Sequence, residues 1–258
     1  MKQSEGILQR LNRPWVLGLS GVLGVFVIWQ FIAASGAVDD LFLPSPISVL
    51  SAGSEKAYSG LLFKDAMASI GRVLGGYALS MLVSLPLGIA MGTNRTINQL
   101  LEPLLGLIRY MPAPAFIPLL IIYFGLGELP KVLLIFIGTL FFNTLMIMDS
   151  VRFVPAELIE AARTLGGKGL PILTKVVAPF IAPQVIDAYR INMAAAWNLV
   201  IVAELVAANE GLGKRISLAQ RFLKTDEIFA YLIVIGLIGL LIDLSFRVLL
   251  RRSCRWSI

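Results

Sequence analysis

Few residues in this sequence have chemistry available to them, and most of those lie where polar groups are expensive. Arg109, Asn143, Asn198, Glu204 and Asp243 are ionisable or amide side chains set inside otherwise apolar stretches. Groups of that kind mark solute pathways or contacts between helices. A guanidinium at Arg109 offers donors to an oxyanion. Because it lies only about two turns inside its stretch, it is also placed to reach back to the bilayer surface. Asn143 and Asn198 can bond to a neighbouring helix or to a passing solute. Met111, beside Arg109, is a further candidate for lining a path, although packing is the simpler role for it and for Trp197. Glu204 would repel an anion from a channel, so it reads as a structural group near the outer surface. Asp243 suits a pairing with a base on another helix, or a place at the inner rim.

Other chemistry is excluded. The chain contains no histidine, which removes histidine general bases and histidine-ligated metals. Its one cysteine, Cys254, lies in a basic tail, so neither a disulfide framework nor a thiolate cluster is available. A phosphate-cradling loop needs Gly, four residues, then Gly-Lys and Ser or Thr. Neither Gly166-Gly167-Lys168-Gly169 nor Gly211-Leu212-Gly213-Lys214-Arg215 meets that spacing, and both read as turns. This chain therefore carries no loop of that kind for nucleotide hydrolysis. The net charge of +6 is scattered over loops and ends, which speaks against a nucleic-acid surface and is explained by membrane topology.

The most informative segment is polar. Residues 155 to 169 begin with Pro155, run through the strong helix formers Ala156 to Leu165, and reach Gly166-Gly167. Proline suits the first position of a helix, and glycine suits its C-terminal stop. The pattern predicts a short helix, a sharp turn and a second short amphipathic segment leading into Val176. Such an elbow is either a docking knob for a soluble partner or a solvated connector.

The elements that hold these residues are membrane spans. Hydrophobic residues make up 57% of the chain and charged residues 15%, with a mean hydropathy of +0.84; a soluble domain carries about 25% charge. Apolar blocks run over 15–34, 70–91, 100–124, 132–148, 191–207 and 228–250, each close to the roughly 17–25 residues that cross a bilayer. The first lacks a small-residue cleavage site and reads as a retained helix. Residues 176–186 are also apolar, but Asp187 and Arg190 separate them from the fifth block, so they form either an interfacial helix or an early extension of it. Gly71 and Gly75, then Gly88 and Gly92, have the spacing that lets helices approach closely. Pro112, Pro114 and Pro118 interrupt the third block, which places it against protein or a wet cavity. Basic residues concentrate at both ends of the chain and in the 152–178 loop, which predicts both termini in the cytoplasm. The segment between the fifth and sixth blocks carries opposing charges.

Glu160-Ala161-Ala162, Gly166 after three more residues, and Val176-Val177-Ala178-Pro179 after nine resemble the EAA loop of bacterial ABC importer permeases. Val176 and Ala178 depart mildly from that family's isoleucine and leucine. Leu43-Pro44-Ser45-Pro46, Arg109-Tyr110-Met111-Pro112, and Ala196-Trp197-Asn198 through Ala203-Glu204 are similar to the nitrate, sulfonate and taurine branch. The resemblance implies an all-α membrane protein, a type I importer permease of six transmembrane helices in the bacterial cytoplasmic (inner) membrane. It implies a homodimer with the pathway between subunits, two ATPase subunits that bind ATP and Mg, and an extracytoplasmic binding protein. It also implies cytoplasmic coupling helices, with Glu160 docking or capping, Ala161 and Ala162 permitting close approach, and Gly166 making the turn. On this reading the chain has a cytoplasmic segment 1–14, a permease domain 15–250 with its coupling loop at about 152–178, and a cytoplasmic tail 251–258. It is not itself an enzyme and holds no cofactor or metal. The solute is a small anion of the nitrate, sulfonate, taurine or bicarbonate class, or alternatively a thiamine-precursor pyrimidine. An ion-gradient-driven secondary transporter is the rival, and predicts mid-membrane carboxylates and internal repeats.

Overall fold

A computed structural model describes residues 14–257; most of the expected N-terminal segment lies outside the described residues. Those residues form helices joined by short turns, with no strand among them. The helices are α1 (Pro14–Ala34), α2 (Pro46–Tyr58), α3 (Leu61–Thr93), α4 (Arg95–Ile108), α5 (Ile117–Phe124), α6 (Glu128–Arg152), α7 (Ala156–Thr164), α8 (Leu170–Ile172), α9 (Ala178–Ala207), α10 (Leu212–Arg221) and α11 (Thr225–Ser253). Five helical stretches are long and apolar enough to cross a membrane, and α4 with its continuation makes a sixth if the bent pair is one span.

The chain divides into two compact units, Met1–Leu62 with Ile216–Ile233, and Phe63–Arg215 with Val234–Ile258. In the first, α1 exposes apolar side chains all round, including Val25 and Phe31, as a lipid-facing helix does. Its Trp29 donates from Nε1 to the Pro44 carbonyl at 3.0 Å and lies 5.5 Å, centroid to centroid, from Phe229. Pro44-Ser45-Pro46 has a local logic. Ser45 is the N-cap of α2, its Oγ accepting from the Ser48 amide, and Pro46 opens the helix where a missing N–H costs nothing. Lys56 pairs with Glu227 at 3.2 Å.

The second unit is built around α6. It shares one apolar cluster with α5 and α9 (Ile117, Leu120, Leu134, Ala203) and another with α3 and α4 (Met91, Leu105, Met148). Helices α3 and α6 run parallel in near backbone contact. A Cβ on Gly76 would stand 2.6 Å from the Val132 carbonyl, one on Gly88 2.7 Å from Ile147 Cβ, and one on Gly92 2.5 Å from Val151 Cβ. At these three positions, spread over ~24 Å of helix, only a hydrogen fits. Of the glycines that spacing singles out, Gly88 and Gly92 make this contact. Gly71 meets nothing within 4 Å and Gly75 only grazes Val132, while the adjacent Gly76 carries the load. Spacing alone does not say which face a partner occupies.

The third apolar block is not one straight span over 100–124. Helix α4 begins earlier, at Arg95, and ends at Ile108. The chain then turns through a 3-10 segment (Ala113–Phe116) into α5, with a bend of 86° between the two arms. Pro112 has no N–H and disfavours helix in the residue before it, so the ladder stops at Met111. The apolar stretch before Asp187 is an extension of the fifth span. From Leu170 to Val206 the helix is continuous, passing through a π turn at Leu173–Val177.

Candidate functional site

The segment between α6 and α9 is a helical elbow. Pro155, in extended conformation (φ −58°, ψ 134°), stands just before α7 rather than within it. At the far end Gly166 has φ +86°. The Gly166 amide donates to the Arg163 carbonyl and the Gly167 amide to the Ala162 carbonyl, each at 2.9 Å. This is the Schellman pair of bonds, and the left-handed residue it requires is the glycine. Gly169, at φ +52°, turns the chain again into α8. Glu160 and Ala161 are exposed and Ala162 half-buried. Among the described residues the Glu160 carboxylate has no hydrogen-bond partner, so it is not capping α7; its backbone carbonyl accepts from Thr164 Oγ1. Phe153 (80% exposed) precedes the elbow helix and Leu165 (88%) follows it, so large apolar side chains stand free at both ends.

A second site lies at the break between α4 and α5. There a cavity of about 280 Å³ is lined by Arg109, Met111 and Asn198, together with Tyr110, Gly138 and Leu199. The structure thus brings together three of the four residues the sequence nominates for a pathway. Arg109 is exposed, donates from Nη2 to its neighbour's Tyr110 hydroxyl at 3.1 Å, and sits 4.9 Å from the centroid of that ring. Gly138 lets the Ala113 and Leu199 side chains close over α6.

Asn143, the fourth, is elsewhere. It is fully buried, donating to Ser80 Oγ at 3.0 Å and accepting from Asn192 Nδ2 at 2.8 Å. Beside it the Tyr77 hydroxyl donates to the Tyr189 carbonyl at 2.6 Å. Asn143 therefore belongs to a polar seam joining α3, α6 and α9, in which each amide group finds a partner.

Sequence reasoning missed an ion cluster at the opposite end from the elbow. Glu204 has no solvent exposure; it accepts from Ser69 Oγ (2.8 Å), Arg72 Nη1 (2.6 Å) and the Gly213 amide (2.8 Å). Arg72 also pairs with Glu128 and donates to the Glu210 carbonyl at 2.8 Å. Asp65, fully buried, accepts from the Gly211 amide (2.8 Å) and from Arg215 (2.6 Å). The cluster ties the loop after α9 to the N-terminal ends of α3 and α6. Gly211 is required there, since a Cβ would lie 2.5 Å from the Glu204 carboxylate. At the rim, the hydrogen bond from Lys64 holds the Glu210 carboxyl below its usual range. The available signal was faint: Arg72 at the edge of one apolar block and Glu204 near the end of another are complementary charges. A second chain of pairs runs Asp187–Arg190–Asp243–Arg247 and joins α9 to α11, so Asp243 takes the helix-pairing role. Among the described residues no cluster suits a metal ion.

Comparison with known proteins gives these shapes a context. Residues 84–255 match the family model described as binding-protein-dependent transport system inner membrane component. The chain is 37% identical over 253 residues to a putative ABC transporter permease of Methanocaldococcus jannaschii, covering 96% of this chain and 94% of that one. It is 32% identical to the taurine transport system permease of Escherichia coli K12, covering 95% and 91%. Among solved structures, a chain of the MetNI methionine ABC transporter in an inward facing conformation superposes with a TM-score of 0.68 at 17% identity, covering 77% of this chain and 98% of that chain. This last is a likeness of fold.

Proposed function

The chain belongs to the family of binding-protein-dependent transport system inner membrane components, and from that premise we propose that it is the permease subunit of an ATP-binding-cassette importer for a small anion. The observation that carries this reading is the Gly166-capped elbow, exposed and set between two membrane-spanning helices, with Glu160 and Ala161 on its free surface. An elbow covalently continuous with α9 is suited to receive motion from a soluble ATPase and hand it to the spans. Alternating access then proceeds by rigid-body rocking of helices.

In this reading both termini are cytoplasmic. Two copies of the chain enclose the pathway, and two separate subunits bind ATP and Mg and supply hydrolysis. An extracytoplasmic protein delivers the solute. The cavity at the break of the third span, with Arg109 and Asn198 as donors, is the place where an oxyanion would pass. The taurine permease among its relatives is in keeping with a sulfonate-like solute. The ionic groups here are paired in clusters, an arrangement that suits a scaffold better than the ion relay of a gradient-driven carrier.

The test is to purify the full chain from its native membranes and identify what accompanies it. ATP hydrolysis and solute uptake are then measured for the parent, Glu160→Gln and Gly166→Val. Recovery of an ATPase whose hydrolysis persists while uptake collapses in the variants is expected. Uptake without any ATPase, or unchanged uptake in both variants, overturns the proposal.

A further inference from the structure

Two adjoining hollows lie where α3, α4 and the elbow meet. The first, about 520 Å³, is an apolar groove along the last turns of α3 and the first of α4, lined by Leu85, Pro86, Ile89, Ala90, Ile97 and Leu173. The second, about 840 Å³, lies under the elbow and is bounded by Val151, Ile159, Arg163, Lys168, Leu170 and Ile172. Thr93 and Leu173 line both, so they form one furrow, apolar along the span and basic at its mouth.

Arg163 and Lys168 are exposed. Among the described residues neither has an acidic partner within ion-pair reach, and the same holds for Lys175 on the following segment, whereas Arg152 and Arg190 are paired. No acidic side chain lines either hollow. Two uncompensated cations therefore face a cavity that opens into an apolar groove on a membrane-spanning helix. On α7, Ile159 and Arg163 share one face, at i and i+4, and line the furrow. Glu160 and Ala161 are not part of that lining. The elbow thus carries two separate surfaces.

We propose that this furrow binds one anionic phospholipid, with an acyl chain along Leu85–Ile97 and the headgroup phosphate between Arg163 and Lys168. Charge complementarity selects the occupant: basic pockets between spans collect anionic headgroups, and a zwitterionic lipid brings an ammonium that the two cations repel. The apolar arm selects a lipid over free phosphate. Bound there, the lipid pins the hinge side of the elbow to the membrane surface and leaves the Glu160 side free.

The experiment reads lipid on the chain itself, so its outcome is independent of whether an ATPase is present. The full-length protein is reconstituted in phosphatidylcholine vesicles with and without phosphatidylglycerol, extracted gently, and weighed by native mass spectrometry. One retained phosphatidylglycerol per chain is expected. The Arg163→Gln/Lys168→Gln variant should lose retention by roughly 10- to 30-fold, the effect of removing two surface cations. Lys175→Gln, outside the furrow, should retain the parental amount. Equal loss in Lys175→Gln would indicate a diffuse charge effect, unchanged retention in the double variant would remove the site, and displacement of the lipid by inorganic phosphate would make it a phosphate pocket. Any of the three overturns the proposal.

Discussion

Replacing Arg72 by methionine removes the one cation that Glu204 and Glu128 share, while keeping most of the side-chain volume. The Glu204 carboxylate has no solvent exposure and keeps only Ser69 Oγ and the Gly213 amide as donors. Removing one partner of a buried ion pair costs about 3–5 kcal/mol, because the remaining charge is left uncompensated. For chains near this length each kcal/mol moves the unfolding midpoint by about 2–4 °C, so Arg72→Met should unfold about 6–20 °C below the parent. The assay is fluorescence-detected thermal unfolding of the purified full chain in detergent. Lys64→Met, which breaks the exposed pair with Glu210, is the control; solvent screens a surface pair, and its midpoint should barely move. Adding Glu204→Gln to Arg72→Met should restore part of the loss, since it removes the orphaned charge and leaves a neutral hydrogen-bonding amide. Two results would refute the reasoning. One is an Arg72→Met midpoint indistinguishable from Lys64→Met, and the other is a double variant less stable than Arg72→Met alone.

Two further predictions concern packing and the cavity. Gly88→Ala places a methyl 2.7 Å from Ile147 Cβ and should cost about 1–3 kcal/mol by overpacking, whereas Gly71→Ala, with open space around it, should leave thermal stability unchanged or raise it. Asn143→Ala leaves buried Ser80 without its donor and half-buried Asn192 without its amide acceptor, and should lower stability by about 1–3 kcal/mol with little change in the KM for uptake. Arg109→Gln and Asn198→Ala should do the reverse, raising KM in a transport assay while the unfolding midpoint stays near the parental value. A raised KM in Asn143→Ala would return that residue to the pathway.

Much of the architecture was legible because long apolar blocks have only one physical use, and the elbow was legible because Gly166-Gly167 after a run of helix formers has a specific backbone meaning. The features that escaped depend on what lies across from a residue. Pro112 announces a break, but the 86° turn is set by where α5 finds Leu134 and Ala203. Spacing of four selects Gly71 and Gly75, and only the face of α3 that α6 takes shows that Gly76 makes the contact. Arg72 falls at the edge of its block and passes for an interfacial residue, and only its neighbours across three helices reveal the cluster. Lys64, Lys131 and Arg215 weaken the charge asymmetry when counted alone, yet each is paired with an acid in the folded chain. Of the pathway candidates, Arg109 and Met111 lie in the break and Asn198 on α9 lines the same cavity; Asn143 is a turn and a half of α6 beyond Gly138 and is buried instead.

The continuous helix that leaves the elbow has an interrupted hydrogen-bond ladder near its root. From Leu170 to Val206 it is a rod of ~55 Å, and its first turns contain a π segment followed by Pro179 and Pro183, which remove ladder hydrogen bonds. Bends in long helices localise where ladder bonds are missing, so this rod bends most easily between Leu173 and Pro183. The stretch beyond, up to Glu204 in its ion cluster, is the stiffer part and swings as one piece.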